Sequence, residues 1–110
     1  MRGSEAQVKW ARNISKEAVA YFNEVLANVV EKGIKVDVFT DEIIEGVNYD
    51  DARTSLNAVI EALENELIDA SIIIDNKDDM GMLSHNILKE LGLKSNAMKA
   101  IKAYRMLQDL

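Results

Sequence analysis

The sequence of 110 residues contains no cysteine and no proline, and it has only five glycines. Without cysteine the chain can form neither disulfides nor a thiolate-based zinc site, and nothing indicates an oxidising compartment. The lack of proline favours helices over turn-rich β-sandwiches. No apolar run approaches the ~20 residues of a membrane span, and the start lacks the apolar core of a secretory signal. We therefore expect one cytoplasmic domain with no membrane partner.

Apolar residues at helical spacing predict an all-α fold, a bundle-like domain of four to five helices that spans residues 1–110. Two long helices, over residues 5–32 and 50–70, are expected to pack antiparallel. Residues 1–4 are set aside as a leader of the kind that cloning vectors add. Shorter helices are predicted from a cap at Thr40 to Gly46, from the polar segment 75–79 to Leu91, and from a cap at Ser95 to Asp109.

Two segments leave the fold class open. Residues 34–39 alternate apolar and charged side chains, which is a weak strand pattern, and we favour an extended connector there. Residues 72–74 are three successive isoleucines, which suit a short strand or the buried end of a helix. The alternative fold is therefore α+β, with two short strands near residues 34–39 and 70–74.

The first helix carries an apolar arc of roughly 200°, about twice that of a helix with one buried stripe. In the second long helix, Ile68 and Ile72 fall on the face that Glu61 and Asn65 otherwise keep polar, and Ile73 also lies off the apolar stripe. A second chain would cover these surfaces most simply. We therefore expect a non-enzymatic protein-interaction or self-association module, either a homo-oligomer or the binder of another protein. The interface candidates are Trp10, Ile68, Ile72 and Ile73.

Residues 84–106 support an alternative function. A short helix, a turn at Gly92 and a second helix resemble a helix-turn-helix DNA-binding unit. The nucleic-acid candidates are Lys94, Lys99, Lys102 and Arg105, which are placed to contact phosphates and base edges. Leu88 departs from the pattern, because such units have a small residue at that position. The resemblance covers about a fifth of the chain.

Charge and residue types limit the remaining functions. The formal net charge is −6, but residues 21–84 carry −11 while residues 1–20 and 85–110 carry +2 and +3. This asymmetry is typical of contacts between the ends of one copy and the middle of another, or of an acidic middle that imitates nucleic acid. The alternative is that these charges only form the solvated faces of a small domain. His85 is the only histidine and lacks the neighbours of metal-binding helix patterns. No nucleophile, metal or phosphate-binding pattern is present, so we expect no enzyme activity, cofactor or small-molecule substrate.

Overall fold

A computed structural model describes the whole chain, residues 1–110. The fold is mostly α-helical, with five α-helices and one two-stranded antiparallel sheet. This confirms the predicted fold class, including one of the two strand segments of the α+β alternative. No helix is long and apolar enough to cross a bilayer. The elements are α1 (Glu5–Val25), β1 (Ile34–Val36), β2 (Ile43–Glu45), α2 (Asp50–Glu64), α3 (Ala70–Asp75), α4 (Met80–Glu90) and α5 (Met98–Gln108).

Helix α1 begins at a capping box, in which the Ser4 hydroxyl accepts the Gln7 amide and the Gln7 side chain accepts the Ser4 amide. These two bonds satisfy donors that the first helical turn leaves free. After Val25 the helix widens into one π-helical turn, Leu26–Val30. This turn brings the adjacent residues Val29 and Val30 into the core together. The helical path ends at Val30, slightly before the predicted end at Lys32, and Gly33 follows with a φ of 59°, which favours glycine.

The two long helices pack antiparallel, as their ion pairs show. Near the start of α1, Arg12 pairs with Glu66, which lies just beyond the end of α2. At the opposite end, Arg53 of α2 pairs with Glu31, which follows the π-helical turn, at 3.0 Å. The remaining helices close one continuous core between them. Its largest fully buried side chains include Phe22, Leu56, Ile73, Leu83, Ile87, Leu88 and Ile101.

Residues 34–46 form a β-hairpin, so the predicted connector followed by a helix capped at Thr40 is wrong. Strand β1 pairs with β2 in a register that places Lys35 opposite Ile44. Thr40 does accept a local backbone bond, from the Glu42 amide at 3.3 Å, but this bond belongs to the turn between the strands. Both strands carry β-branched residues, which favour extended backbone, and a turn around Thr40 and Asp41 joins them.

The second long helix ends earlier than predicted. Helix α2 stops at Glu64, and Glu66 has a φ of 55°, which interrupts the helical path. The chain then turns and forms the short helix α3, so the alternative strand near residues 70–74 is wrong. The turn rotates the isoleucine segment relative to α2. The departure of Ile68 from the apolar stripe therefore marks a change of direction within the chain.

Candidate interaction surface

The interface candidates from the sequence do not form one surface. Ile68 and Ile73 are 2% and 0% exposed, and Ile72 is half-buried against the same core. Their neighbours within the chain cover them, because α3 packs between α1 and α4. Trp10 alone remains open, with 49% of its surface exposed and the Lys77 ammonium 5.9 Å from its ring centroid. The isoleucine cluster is therefore a core feature, and the expectation of an interface there is corrected.

The wide apolar arc of α1 is also covered within one copy. Ala11, Ala18, Phe22 and Val25 are fully buried between the neighbouring helices. Tyr21 lies at the margin of this arc and meets the ring of Tyr104 on α5 edge to face, with centroids 5.2 Å apart. Because α2, α3 and α5 all contact this helix, its width no longer argues for a second chain.

The helix-turn-helix candidates lie on α5 and on the connection before it. Helices α4 and α5 are joined by seven residues, 91–97, rather than the three or four of such units. Helix α5 begins after Ala97 instead of at a Ser95 cap, since the Ser95 hydroxyl contacts Nδ1 of His85 at 3.1 Å. Lys94, Lys99 and Lys102 are exposed. The fourth candidate, Arg105, pairs with Asp79 at 3.1 Å.

An apolar surface that the sequence argument missed lies on the β-hairpin. We call it the hairpin surface and define it as Val38, Phe39, Ile43 and Ile44. Phe39 is 93% exposed at the turn, and Ile43 on β2 is 53% exposed. All three residues of β2 are exposed. Ile43 and Ile44 are consecutive strand residues and lie on opposite faces of the sheet, so the hairpin exposes apolar side chains on both faces. Large apolar side chains that remain in water on a folded chain mark interaction sites in proteins.

The turn that presents Phe39 is held in place by Asp37. The Asp37 carboxylate accepts the backbone amides of Phe39 at 2.8 Å and of Thr40 at 3.1 Å. These bonds favour the charged form, and so they hold the pKa of Asp37 below its ordinary value. The Asp37 carbonyl also accepts the Asp41 amide at 2.9 Å. The exposed aromatic ring is therefore carried by an ordered turn.

Strand β1 attaches the hairpin to the helical body. The Tyr49 hydroxyl donates to the carbonyl oxygen of Ile34 at 3.0 Å, and burial raises the pKa of this tyrosine. Below the strands, the Val47 amide donates to the carbonyl of Gly33 at 2.8 Å. Val36 is buried, and β1 packs against α5. These contacts hold β1 against the helices, while β2 lies farther from them.

A groove of about 1020 Å³ lies between the hairpin turn and helices α2 and α5. Val38 and Phe39 line its hairpin wall, and Met98 of α5 lies among its apolar residues. The charged groups of this groove are mixed in sign, so it presents no uniform potential to a phosphate backbone. They are Lys35, Asp37, Asp50, Asp51, Lys99 and Lys102.

Two other kinds of site have less support. No three histidine or acidic side chains come together in a way that could hold a metal ion. A second groove, of about 640 Å³, runs along α1 past Lys9, Arg12 and Lys16, but Arg12 is already paired with Glu66. The hairpin surface is therefore the strongest candidate. Neither the known family models nor the curated proteins and solved structures contain a match to this chain.

Proposed function

We propose that the protein is a non-enzymatic interaction module that binds a protein partner through the hairpin surface. The exposure of Phe39, at 93%, is the observation that carries this proposal. Binding is favoured when a partner covers an aromatic ring and removes its apolar surface from water. Such rings are frequent binding anchors. The ordered turn beneath Phe39 lowers the entropic cost of binding. We also propose a cytoplasmic location, as expected from the sequence.

The test compares the wild-type protein with one double variant and one single variant of exposed residues. Replacing Phe39 and Ile43 together with serine removes the anchors of the hairpin surface. The matched control is Leu67→Ser, because Leu67 is 63% exposed but lies between α2 and α3. The tagged proteins are used to capture partners from extracts of the native cells, and each is also sedimented at several concentrations.

We expect the wild type and the Leu67→Ser protein to retain the same partner, and the Phe39→Ser/Ile43→Ser protein to lose it. A mass that rises with concentration in the wild type but not in the double variant would identify a second copy as that partner. A concentration-independent monomer that captures nothing, or a partner retained equally by all three proteins, would contradict the proposal.

DNA binding is the second candidate, and the exposure of Lys94, Lys99 and Lys102 is the observation that favours it. The long connection between α4 and α5 and the carboxylates beside Lys99 and Lys102 weaken it. Titration of a labelled duplex at low and moderate salt tests it directly. Affinity that falls steeply with salt and is lost on Lys99→Ala with Lys102→Ala would support DNA binding. No binding at low salt would exclude it.

A further inference from the structure

We propose that the outer edge of β2 binds an extended segment of a partner protein, rich in basic and apolar residues, as a third strand of the hairpin sheet. This inference rests on the proposed function and names the partner chemistry and the binding mode. Strand addition uses backbone hydrogen bonds for affinity and alternate side chains for specificity. The argument depends on the hydrogen bonds of β2, on its side chains and on its charge.

The backbone of β2 has free hydrogen-bonding groups along its outer edge. In an antiparallel pair, hydrogen-bonded and non-hydrogen-bonded residue pairs alternate. The Asp37 amide donates to the Glu42 carbonyl at 2.9 Å, so the next hydrogen-bonded pair in this register is Lys35 with Ile44. The amides and carbonyls of Ile43 and Glu45 therefore point away from β1. No hydrogen bond from the rest of the chain reaches them.

The outer edge of β1 is less accessible to an added strand. The Ile34 carbonyl of β1 already accepts the Tyr49 hydroxyl, and Val36 is buried. In β2, by contrast, all three residues are exposed on both faces of the strand. An added strand therefore fits beside β2.

The negative charge around β2 favours a basic partner. Residues 41–46, which contain β2, carry three carboxylates, on Asp41, Glu42 and Glu45, and no cation, while the lysine of β1, Lys35, lies opposite Ile44. Pairing of β2 with the β2 of a second copy would bring two such clusters together. Charged residues on an edge strand act against self-pairing in this way. A basic segment gains from the same carboxylates, so the partner is a different, basic chain.

The register sets the order of side chains in the partner. Beside Glu45 and Glu42 the added strand gains from a basic residue, and beside Ile44 and Ile43 it gains from an apolar one. The best four-residue match is therefore lysine, valine, valine, lysine. This order reads the same in both directions, so it fits a parallel or an antiparallel strand.

The probe is the peptide acetyl-Thr-Lys-Val-Val-Lys-Thr-amide, titrated into isotopically labelled protein at low salt. We expect millimolar binding, since a free peptide loses entropy when it is ordered. The amide signals of Ile43 and Glu45 should shift and exchange more slowly with solvent, because they become hydrogen-bonded. Two control peptides are used, one with glutamate in place of both lysines and one N-methylated at both valines. Both should bind at least about threefold more weakly.

A matched pair of protein variants tests the charge. Glu42→Gln with Glu45→Gln should weaken binding of the lysine peptide about threefold or more. Glu61→Gln with Glu64→Gln removes the same charge from exposed positions on α2 and should leave the affinity unchanged. Equal weakening in both variants would reveal only a long-range effect of net charge and would overturn the proposal.

The outcomes separate this inference from the proposed function. If the N-methylated peptide binds as well as the unmodified one, or if no amide of β2 shifts, the strand-addition mode is overturned. Capture of a partner that depends on Phe39 and Ile43 would nevertheless leave the interaction module standing. If the peptide binds to β2 as expected but no native partner depends on the hairpin surface, the edge mode holds and the proposed function fails.

Discussion

Three serine side chains show how single residues differ in what they contribute to this fold. The Ser84 hydroxyl donates to the Gly81 carbonyl at 2.7 Å. Ser55 donates to the carbonyl of Lys94 and accepts the amide of Asn96, each at 3.2 Å, and so it ties α2 to the connection before α5. Ser15 is buried on α1, and its hydroxyl has no partner. A buried polar group without a partner lowers stability.

We expect opposite effects from two alanine substitutions. Ser15→Ala should raise the free energy of unfolding by about 1 kcal/mol, because it removes an unpaired hydroxyl and favours the helix. Ser55→Ala should lower it by about 1 kcal/mol, because two hydrogen bonds are lost. Urea denaturation followed by circular dichroism measures both. A loss of stability in Ser15→Ala would show that its hydroxyl has a partner in solution.

Asp37 makes the hairpin turn dependent on pH. Its pKa is lowered in the folded protein by the backbone amides of Phe39 and Thr40. A group with a lowered pKa stabilises the fold above its unfolded pKa, and this contribution is lost as the pH falls through the folded value. We therefore expect the Phe39 and Thr40 amides to lose protection from hydrogen exchange in acid, below the ordinary pKa of aspartate. Asp37→Asn should show weak protection already at neutral pH, and unchanged protection in this variant would contradict the role of the charge.

Among the elements, α4 depends on Asp79 for its start. The Asp79 carboxylate accepts the Met82 amide at 3.1 Å as the helix cap, and the same oxygen pairs with Arg105 of α5. The Met82 amide and the Arg105 guanidinium together hold the pKa of Asp79 below its ordinary value. The cap is expected to matter more than the ion pair, because exposed ion pairs contribute little to stability.

Substitution of each partner tests that order. Asp79→Ala should lower the free energy of unfolding by about 1 kcal/mol, since a helix cap is lost. Arg105→Ala should cost less, within the roughly 0.2–1 kcal/mol of exposed ion pairs. Thermal unfolding of the two variants and of Asp79→Ser, which can still cap the helix, measures the difference. An Asp79→Ser protein as unstable as Asp79→Ala would show that the ion pair dominates.

The helices could be predicted from the sequence because their signal is local. Apolar residues at helical spacing fix the buried faces of α1 and α2, and Gly33 marks a helix end. The capping box of Ser4 and Gln7 was also readable, but it falls partly in the segment set aside as a leader. The end of α2 was not predictable, because the positive φ of Glu66 has no local sequence signal.

The candidate site was missed because its parts are distant or ambiguous in sequence. Thr40 followed by two acids matches a helix start, and the competing turn depends on bonds from Asp37. The anchor between Tyr49 and Ile34 joins residues fifteen positions apart. The available signal was the alternation over residues 34–38, repeated apolar residues at Ile43 and Ile44, and polar residues between them. Together these predict a hairpin.

At the scale of the whole molecule, one chain buries the residues that suggested a second. The isoleucines of the turn and of α3 complete the core between α1 and α4. The molecule is elongated, with extents of 46 × 26 × 20 Å. The hairpin surface and Trp10 remain exposed, as do isolated apolar residues such as Leu67 and Leu93.

A core substitution and a surface substitution separate these roles. Ile73→Ala should lower the free energy of unfolding by about 2–5 kcal/mol, because it leaves a cavity at a fully buried position. Trp10→Ser should change it by less than about 1 kcal/mol, because Trp10 is half exposed. Chemical denaturation of both variants measures this, and a small effect of Ile73→Ala would show that the core is not packed as described.

The open edge of β2 also has a consequence for handling the protein. At neutral pH the net charge of −6 keeps copies apart, but this repulsion vanishes near the isoelectric point of about 4.7. Less charge then opposes the pairing of the free backbone groups of Ile43 and Glu45 with those of other copies, which favours stacking into fibrils. Mildly acidic buffers should therefore shorten the shelf life of the protein and produce thioflavin-binding aggregates, and Ile44→Lys should prolong it.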